Sequence, residues 1–404
     1  MKKTSKHIEH ADEKKLELIN FISFLFGFSQ ALLIYVLSDY FRQALGFDNV
    51  SLFYLVSYAI VLLFLLNMHK FIRWLGKATV FFLFFFLQIC FVAFLIFVPP
   101  STAGIFLLML YIIANYLAYV SLDIMVESYS EDKRSGRIRG LHMTILNAGF
   151  IIGPLISTRV LEKFGFDGLF FLSMVMNMIL FLVGLVNLRG ANQRFAQKLT
   201  TRDLVKKIFV NKDVMKIYAI SFTLEFFYAL MIVYTPLYLL DRGLSWSQIG
   251  IAFTVMLIPF VVLEYPLGYL ADKKFGEKEM ITIGLIILSI STLSIFFVSS
   301  NAVWVWSLVL LATRIGAAMI EILRDSYFYK RIDGRDVDVI SFFRTAVSVA
   351  YVAATALSAL LLLFVSVKYV FLFLGALILL GLLPALRLVD NKSEAEMKMA
   401  KEFV

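Results

Sequence analysis

Charge is scarce in this sequence. Only 17% of its 404 residues are Asp, Glu, Lys or Arg, while 61% are hydrophobic and 16% aromatic. Soluble domains carry about a quarter charged residues, so an ordinary soluble surface cannot be built and a membrane protein is expected. Cysteine is almost absent: the single Cys90 lies inside an apolar run and excludes an intramolecular disulfide. Of the four histidines, His7 and His10 fall in a polar tail without further ligands, and His69 and His142 fall at the edges of apolar runs. No metal site and no cofactor are expected from such a set. The chain also lacks a Gly-rich phosphate loop and a convergent nucleophile, base or metal cluster, which argues against an enzyme. An intramembrane lipid-modifying enzyme and a non-transporting receptor or scaffold stand as alternatives from other classes. A small-residue cleavage site is missing after the first apolar stretch, so that stretch is expected to span the membrane and not to be a signal peptide.

What the chain does have is long apolar runs. A hydrocarbon core of about 30 Å needs roughly 20 apolar helical residues, because lipid satisfies no backbone group. The runs give twelve helices near 18–40, 50–69, 78–98, 104–127, 139–160, 168–188, 214–240, 248–270, 280–299, 302–328, 338–364 and 368–388. The expected organisation is an N-terminal tail 1–17, a six-helix bundle 18–188, a linker 189–213, a second six-helix bundle 214–388 and a C-terminal tail 389–404. One set of connections holds only Arg42, Arg159, Lys163, Arg242 and Lys368, and Arg314, Arg324 and Arg344 lie within helices. All remaining Lys and Arg fall in the tails and the other connections, which places both termini in the cytoplasm of a protein of the cell (plasma or inner) membrane. That distribution also accounts for most of the formal charge of +9 without a nucleic-acid partner.

The two halves repeat each other at an offset of 198 positions. Ser23-Phe24 returns as Ser221-Phe222, Asp123 as Glu321, Glu127-Ser-Tyr as Asp325-Ser-Tyr, and Gly136-Arg137 as Gly334-Arg335. Parallel six-helix repeats are an architecture of secondary transporters.

Three motifs resemble those of the major facilitator superfamily. GYLADKKFGEK, with Gly268, Asp272, Lys273 and an offset Gly276, is similar to the family's loop motif, and its first-half counterpart NMHKFIRWLGK keeps Arg73 and Gly76 but has Ile72 at the acidic position. Gly140, Gly149, Gly153-Pro154 and then Ser157-Thr158 follow the spacing of the signature of drug/proton antiporters, with Ser and Thr replacing its last two glycines. Glu127 with Arg134 resembles the acid-to-arginine spacing of the sugar-transporter branch, whereas Asp325 must use Arg331 or Arg335. The resemblance implies an all-α fold of two pseudo-repeats around a central cavity, alternating access and, by the antiporter motif, proton-coupled efflux of a drug or metabolite by a monomer in the lipid bilayer. Proton-coupled uptake of a sugar or organic anion is the alternative.

Charge near the bilayer centre costs about 2.5 to 3.5 kcal/mol on insertion scales, so each such residue is a functional candidate. Depth along the helices brings Glu225 and Arg314 to the midplane together, as a substrate- or proton-binding pair or as a structural one. Gln30, Asn115, Asn147 and Tyr228 are expected at the same cavity. Nearer the cytoplasm, Asp123, Glu127, Arg134, Arg137, Glu264, Asp272, Glu321, Asp325, Arg335 and Arg344 form the candidate gate.

Overall fold

The computed structural model describes residues 18, 20–128, 135–187, 212–271, 276–331 and 337–389. Every extended regular element among them is helical. The first half contains α1 (Asn20–Leu45, with a turn at 34–36), α2 (Ser51–Leu75), α3 (Lys77–Leu95), α4 (Thr102–Ser128), and α5 and α6, which share the segment Ser135–Asn187. In the second half are α7 (Lys212–Asp241), α8 (Trp246–Leu270), α9 (Glu277–Phe297), α10 (Val303–Arg331), α11 (Val337–Leu361) and α12 (Lys368–Leu386).

By length and composition the helices supply 11 candidate spans, one of which, Met143–Val186, has 44 residues. A continuous helix of that size would extend about 66 Å, twice the hydrocarbon thickness. Gly165 interrupts it with φ 68° and ψ −169°, a backbone open to glycine because it has no Cβ, so α5 and α6 are separate crossings and the total among the described residues is twelve. The same property explains one glycine in each copy of the loop motif: Gly76 has φ 87° and Gly276 has φ 70°, and each begins the next helix. Gly268 has no comparable constraint, since an added Cβ would meet Ile322 at an ordinary 3.6 Å.

Two six-helix bundles result, joined where α2 packs on α11, α5 on α8, and α1 on α7. The antiporter-like glycines of α5 have a clear steric role. A Cβ on Gly149 would stand 2.2 Å from the Phe24 carbonyl oxygen, and one on Gly153 would stand 2.2 Å from the Ala31 Cβ, so both permit close approach of α1. Where the signature expects its last glycine the chain has Thr158, and the small residue has moved to the facing helix: a Cβ on Gly250 of α8 would lie 2.0 Å from Thr158 Oγ1. Thr158 and Ser157 both donate to the Pro154 carbonyl, at 2.7 and 3.2 Å. Gly140 belongs to α5, but its surroundings lie outside the described residues.

The even number of crossings puts residues 20 and 389 on one side, called here the tail side. Of the sequence expectations, the tail 1–17, most of the linker 189–213, Arg134, Asp272, Arg335 and the tail from 390 onward lie outside the described residues, as do the side chains of Glu127 and Arg137.

Candidate functional site

A ladder of charged and aromatic side chains climbs the interface between the two bundles from the tail side. At the first level Arg344 of α11 reaches Asp123 of α4 across the interface at 3.2 Å and Asp325 of α10 at 3.7 Å. Asp325 lies 3.5 Å from Arg324, whose Nη1 meets Glu225 Oε1 at 2.8 Å and donates to Ser221 Oγ at 2.9 Å. Two acids on the second half are thus tied to one acid on the first half through two arginines. Beside them Asn147 of α5 donates to Glu264 Oε1 of α8 at 3.1 Å, a second bridge between the halves. Glu264 is only 2% exposed, its other oxygen has no hydrogen-bond partner, and its charged neighbours are the carboxyls of Glu321 and Asp325.

The expected pair of Glu225 with Arg314 does not form. The Asp213–Arg331 ion pair at 3.4 Å fixes the register of antiparallel α7 and α10. Counted from there, Glu225 stands level with residue 319, five residues from Arg314 in one direction and from Arg324 in the other, or about 7.5 Å either way. Depth therefore does not choose between the two arginines, and the helix face does. Ten residues at about 100° each turn the arginines roughly 80° apart, and the Arg324 side is the one facing Glu225.

Arg314 occupies a different setting, deeper in the protein. It is 2% exposed, and its guanidinium lies 5.0 Å from the Phe227 ring centre, 5.4 Å from that of Tyr228, and beside the Tyr35 hydroxyl of α1. Its Nε and Nη1 have no hydrogen-bond partner. Tyr228 is anchored separately, donating to Glu321 Oε2 at 2.5 Å. Tyr35 in turn packs against Phe253 of α8 at 4.9 Å between ring centres. Gln30 has a buried, unpartnered Nε2, whereas Asn115 donates to Tyr111 one turn away on its own helix at 2.8 Å. Asn147, expected in the cavity, instead joins Glu264 beside Glu321 and Asp325.

Sequence inspection missed Arg324 and a tyrosine cluster as site members. Tyr58 of α2 stacks on Tyr351 of α11 with ring centres 4.0 Å apart, and Tyr116 of α4 stands 5.6 Å from Tyr58. All three are neighbours of Glu225. The signal available for Arg324 was its place beside Asp325 in a repeated charged stretch, together with the repeated Ser221 that accepts its hydrogen bond. The tyrosines carried none, because Tyr is abundant in the chain.

Away from the tail side the halves meet again. Arg42 of α1 reaches Asp241 of α7 at 2.8 Å, Ser51 of α2 hydrogen-bonds Tyr234 of α7 and meets Ser358 of α11 at 2.9 Å, and Asn49 donates to the Ala359 carbonyl at 3.0 Å. A depression of about 710 Å³ opens on that face, lined by residues including Asn49, Tyr238, Asp241 and Arg242. Both ends of the interface are bridged, and the central polar groups are enclosed between them.

A family model described as Major Facilitator Superfamily matches residues 19–332 and 247–402. Among solved structures, the crystal structure of a mutant of the nucleoside transporter NupG superposes with a TM-score of 0.73 at 15% identity, covering 93% of this chain and 99% of that one. The human organic anion transporter MFSD10 (TETRAN) gives 0.67 at 14% identity with the same coverage of 93% and 99%. No curated protein sequence matches this one. With twelve helices in two bundles and a family match along nearly its whole length, the chain belongs to the major facilitator superfamily, and is an integral membrane transporter and not an enzyme.

Proposed function

We propose that this transporter exports a small amphipathic organic solute in exchange for protons, in the manner of the drug/proton antiporter branch, acting as a monomer with both termini in the cytoplasm. The observation that carries the proposal is Glu264. It is a buried carboxyl with no cationic partner among the described residues, it faces two other acids, and it is held by a residue of the opposite bundle. A proton arriving there removes repulsion among Glu264, Glu321 and Asp325, and changes what Asn147 can bond to. Protonation and separation of the halves are then linked through one side chain. The Glu225 carboxylate, expected as the proton carrier, is less suited to that role because Arg324 already neutralises it.

In this scheme the Asp123–Arg344 pair and the Asn147–Glu264 bond form the cytoplasmic gate and break when the inner side opens. The bonds of Arg42, Asn49 and Ser51 close the outer side and break in the opposite phase. The aromatic lining of the centre suits a solute with an apolar body. Uptake of a polar organic solute such as a sugar or organic anion is a second reading, favoured by the buried Arg314 and by the presence of an organic anion transporter among the structural neighbours.

The experiment is transport in proteoliposomes carrying an imposed pH gradient, with a pH-sensitive dye inside and a panel of radiolabelled dyes, nucleosides and organic acids offered as solutes. Export coupled to protons requires solute-dependent proton movement that is lost in Glu264→Gln. Solute flux indifferent to the gradient would refute the exchange. An undiminished coupled rate in Glu225→Gln is expected, and a coupled rate abolished in that variant would return the proton to Glu225.

A further inference from the structure

We infer that Arg314 is the receptor for an anionic head group, carboxylate or sulfonate, on the transported solute, and that the rings around it receive the solute's apolar body. The inference rests on the transport reading above and names its substrate class.

The argument begins with cost. Enclosing a guanidinium away from water carries an effective penalty of several kcal/mol, and such groups are ordinarily matched by a carboxylate. Arg324 and Arg344 are matched in this way, with carboxylates at 2.8 and 3.2 Å. Arg314 is as deeply buried as Arg324, yet no carboxylate of the described residues lies within ion-pair distance; Arg344 also has two nitrogens without a hydrogen-bond partner, but those face carboxylates at 3.2 and 3.7 Å, whereas Nε and Nη1 of Arg314 face none. Its rings, Phe227 and Tyr228, supply cation–π attraction, which offsets part of the penalty only. Glu321 is engaged by the hydroxyl of Tyr228, whose ring lies 5.4 Å from the Arg314 guanidinium.

The surroundings define the ligand further. Around the guanidinium stand the Tyr35 hydroxyl from the first half and the Phe227 and Tyr228 rings of α7 from the second, and the Tyr35 ring packs in turn on Phe253 of α8. A planar, forked cation with free donors favours a bidentate planar or tetrahedral oxyanion. Rings from both bundles favour an apolar, preferably aromatic, body adjoining it. Because Tyr35 and Arg314 lie on opposite bundles, an anion held between them engages both halves at once, as a solute carried between two access states must.

The test compares four probes of one shape on the purified full-length protein: 2-naphthoate, naphthalene-2-sulfonate, the neutral 2-naphthamide and the cationic 2-naphthylmethylamine. Equilibrium binding is read from thermal stabilisation and tryptophan fluorescence. The wild type is expected to bind the two anions at least about tenfold more tightly than the amide, corresponding to about 1.4 kcal/mol, and to bind the amine most weakly. Arg314→Gln should reduce the anion-to-amide ratio to near unity, and Arg314→Lys should keep part of it, since an ammonium retains charge but loses the fork. If Arg314→Gln does not yield folded protein, the Lys variant decides alone. An unreduced anion preference there, an amide bound as tightly as the anions by the wild type, or no anion bound at millimolar concentration overturns the inference. Proteoliposome flux separates the two proposals: anion-selective binding without any transport refutes the transport scheme and leaves the site, whereas proton-coupled flux of neutral solutes with no anion preference does the reverse.

Discussion

Asp123→Asn removes one charge from the pair that joins α4 to α11 on the tail side. At the observed 3.2 Å, and with an effective dielectric constant of about 20, the attraction between full charges is about 5 kcal/mol before desolvation. Side chains 17% and 15% exposed have surrendered much hydration to form it, and after the substitution Arg344 still has Asp325 at 3.7 Å. The net loss is therefore well below the 3 to 5 kcal/mol seen when a buried charge is left alone, and we expect about 1 to 2 kcal/mol. Expressed as an equilibrium between closed and open tail-side states, that is a shift of about 5- to 30-fold toward opening. Accessibility can be read at Ser348, a buried α11 residue facing Tyr116 of the other half. In a Cys90→Ser background, which removes the native thiol, Ser348→Cys supplies a single reactive site for a membrane-impermeant maleimide added on the tail side. Its labelling rate should rise about tenfold in Asp123→Asn. Arg344→Gln should act in the same direction, and the two together should fall short of the product of their separate effects, because they break one interaction. An unchanged rate, or independent multiplication of the two effects, would refute the role of this pair as a latch.

On the opposite side Asp241→Asn should act in reverse but weakly: Asp241 is 47% exposed and Arg42 keeps Asp39 at 3.3 Å and Asp48 at 3.6 Å, so less than about 1 kcal/mol is expected, and the decrease in labelling at Ser348→Cys should fade with added salt. Gly153→Ala drives a Cβ against Ala31, and overpacking of this kind costs about 1 to 3 kcal/mol; thermal unfolding should show a lower midpoint, partly restored by Ala31→Gly, and an unaltered midpoint would mean that α1 can retreat freely. Glu225→Gln leaves Arg324 with Asp325, at 3.5 Å, as its one ion-pair partner among the described residues, so a loss of thermal stability is expected that Arg324→Gln in the same chain recovers; a single variant as stable as the wild type would show the pair to be dispensable.

The crossings were legible in the sequence because lipid imposes one requirement on every spanning segment. A run of some 20 apolar residues must become a helix, and repeated acid-Ser-Tyr stretches 198 positions apart mark two related bundles whatever their packing. Gly76 and Gly276 were likewise visible, since a positive φ is a local demand that glycine meets by itself. That charges such as Glu225, Arg314, Asp123 and Arg344 must be enclosed within the protein and not face lipid could also be seen, because each is costly in a bilayer.

Which charge meets which could not be seen. Residue counting gives depth along an axis but not the face that a neighbouring helix presents, and along that axis Glu225 is offset equally from Arg314 and Arg324. Only the rotation of α10 against α7 assigns Arg324 to Glu225 and leaves Arg314 between aromatic rings. Asn147 and Glu264, 117 positions apart, meet because α5 packs on α8, a contact that Thr158 and Gly250 allow by complementary size and that neither residue announces alone. The sequence by itself determined how many times the chain crosses and what the bilayer makes expensive; the tertiary structure decided the partners, because pairing depends on helix rotation and interhelical distance, which arise only when the two bundles pack together.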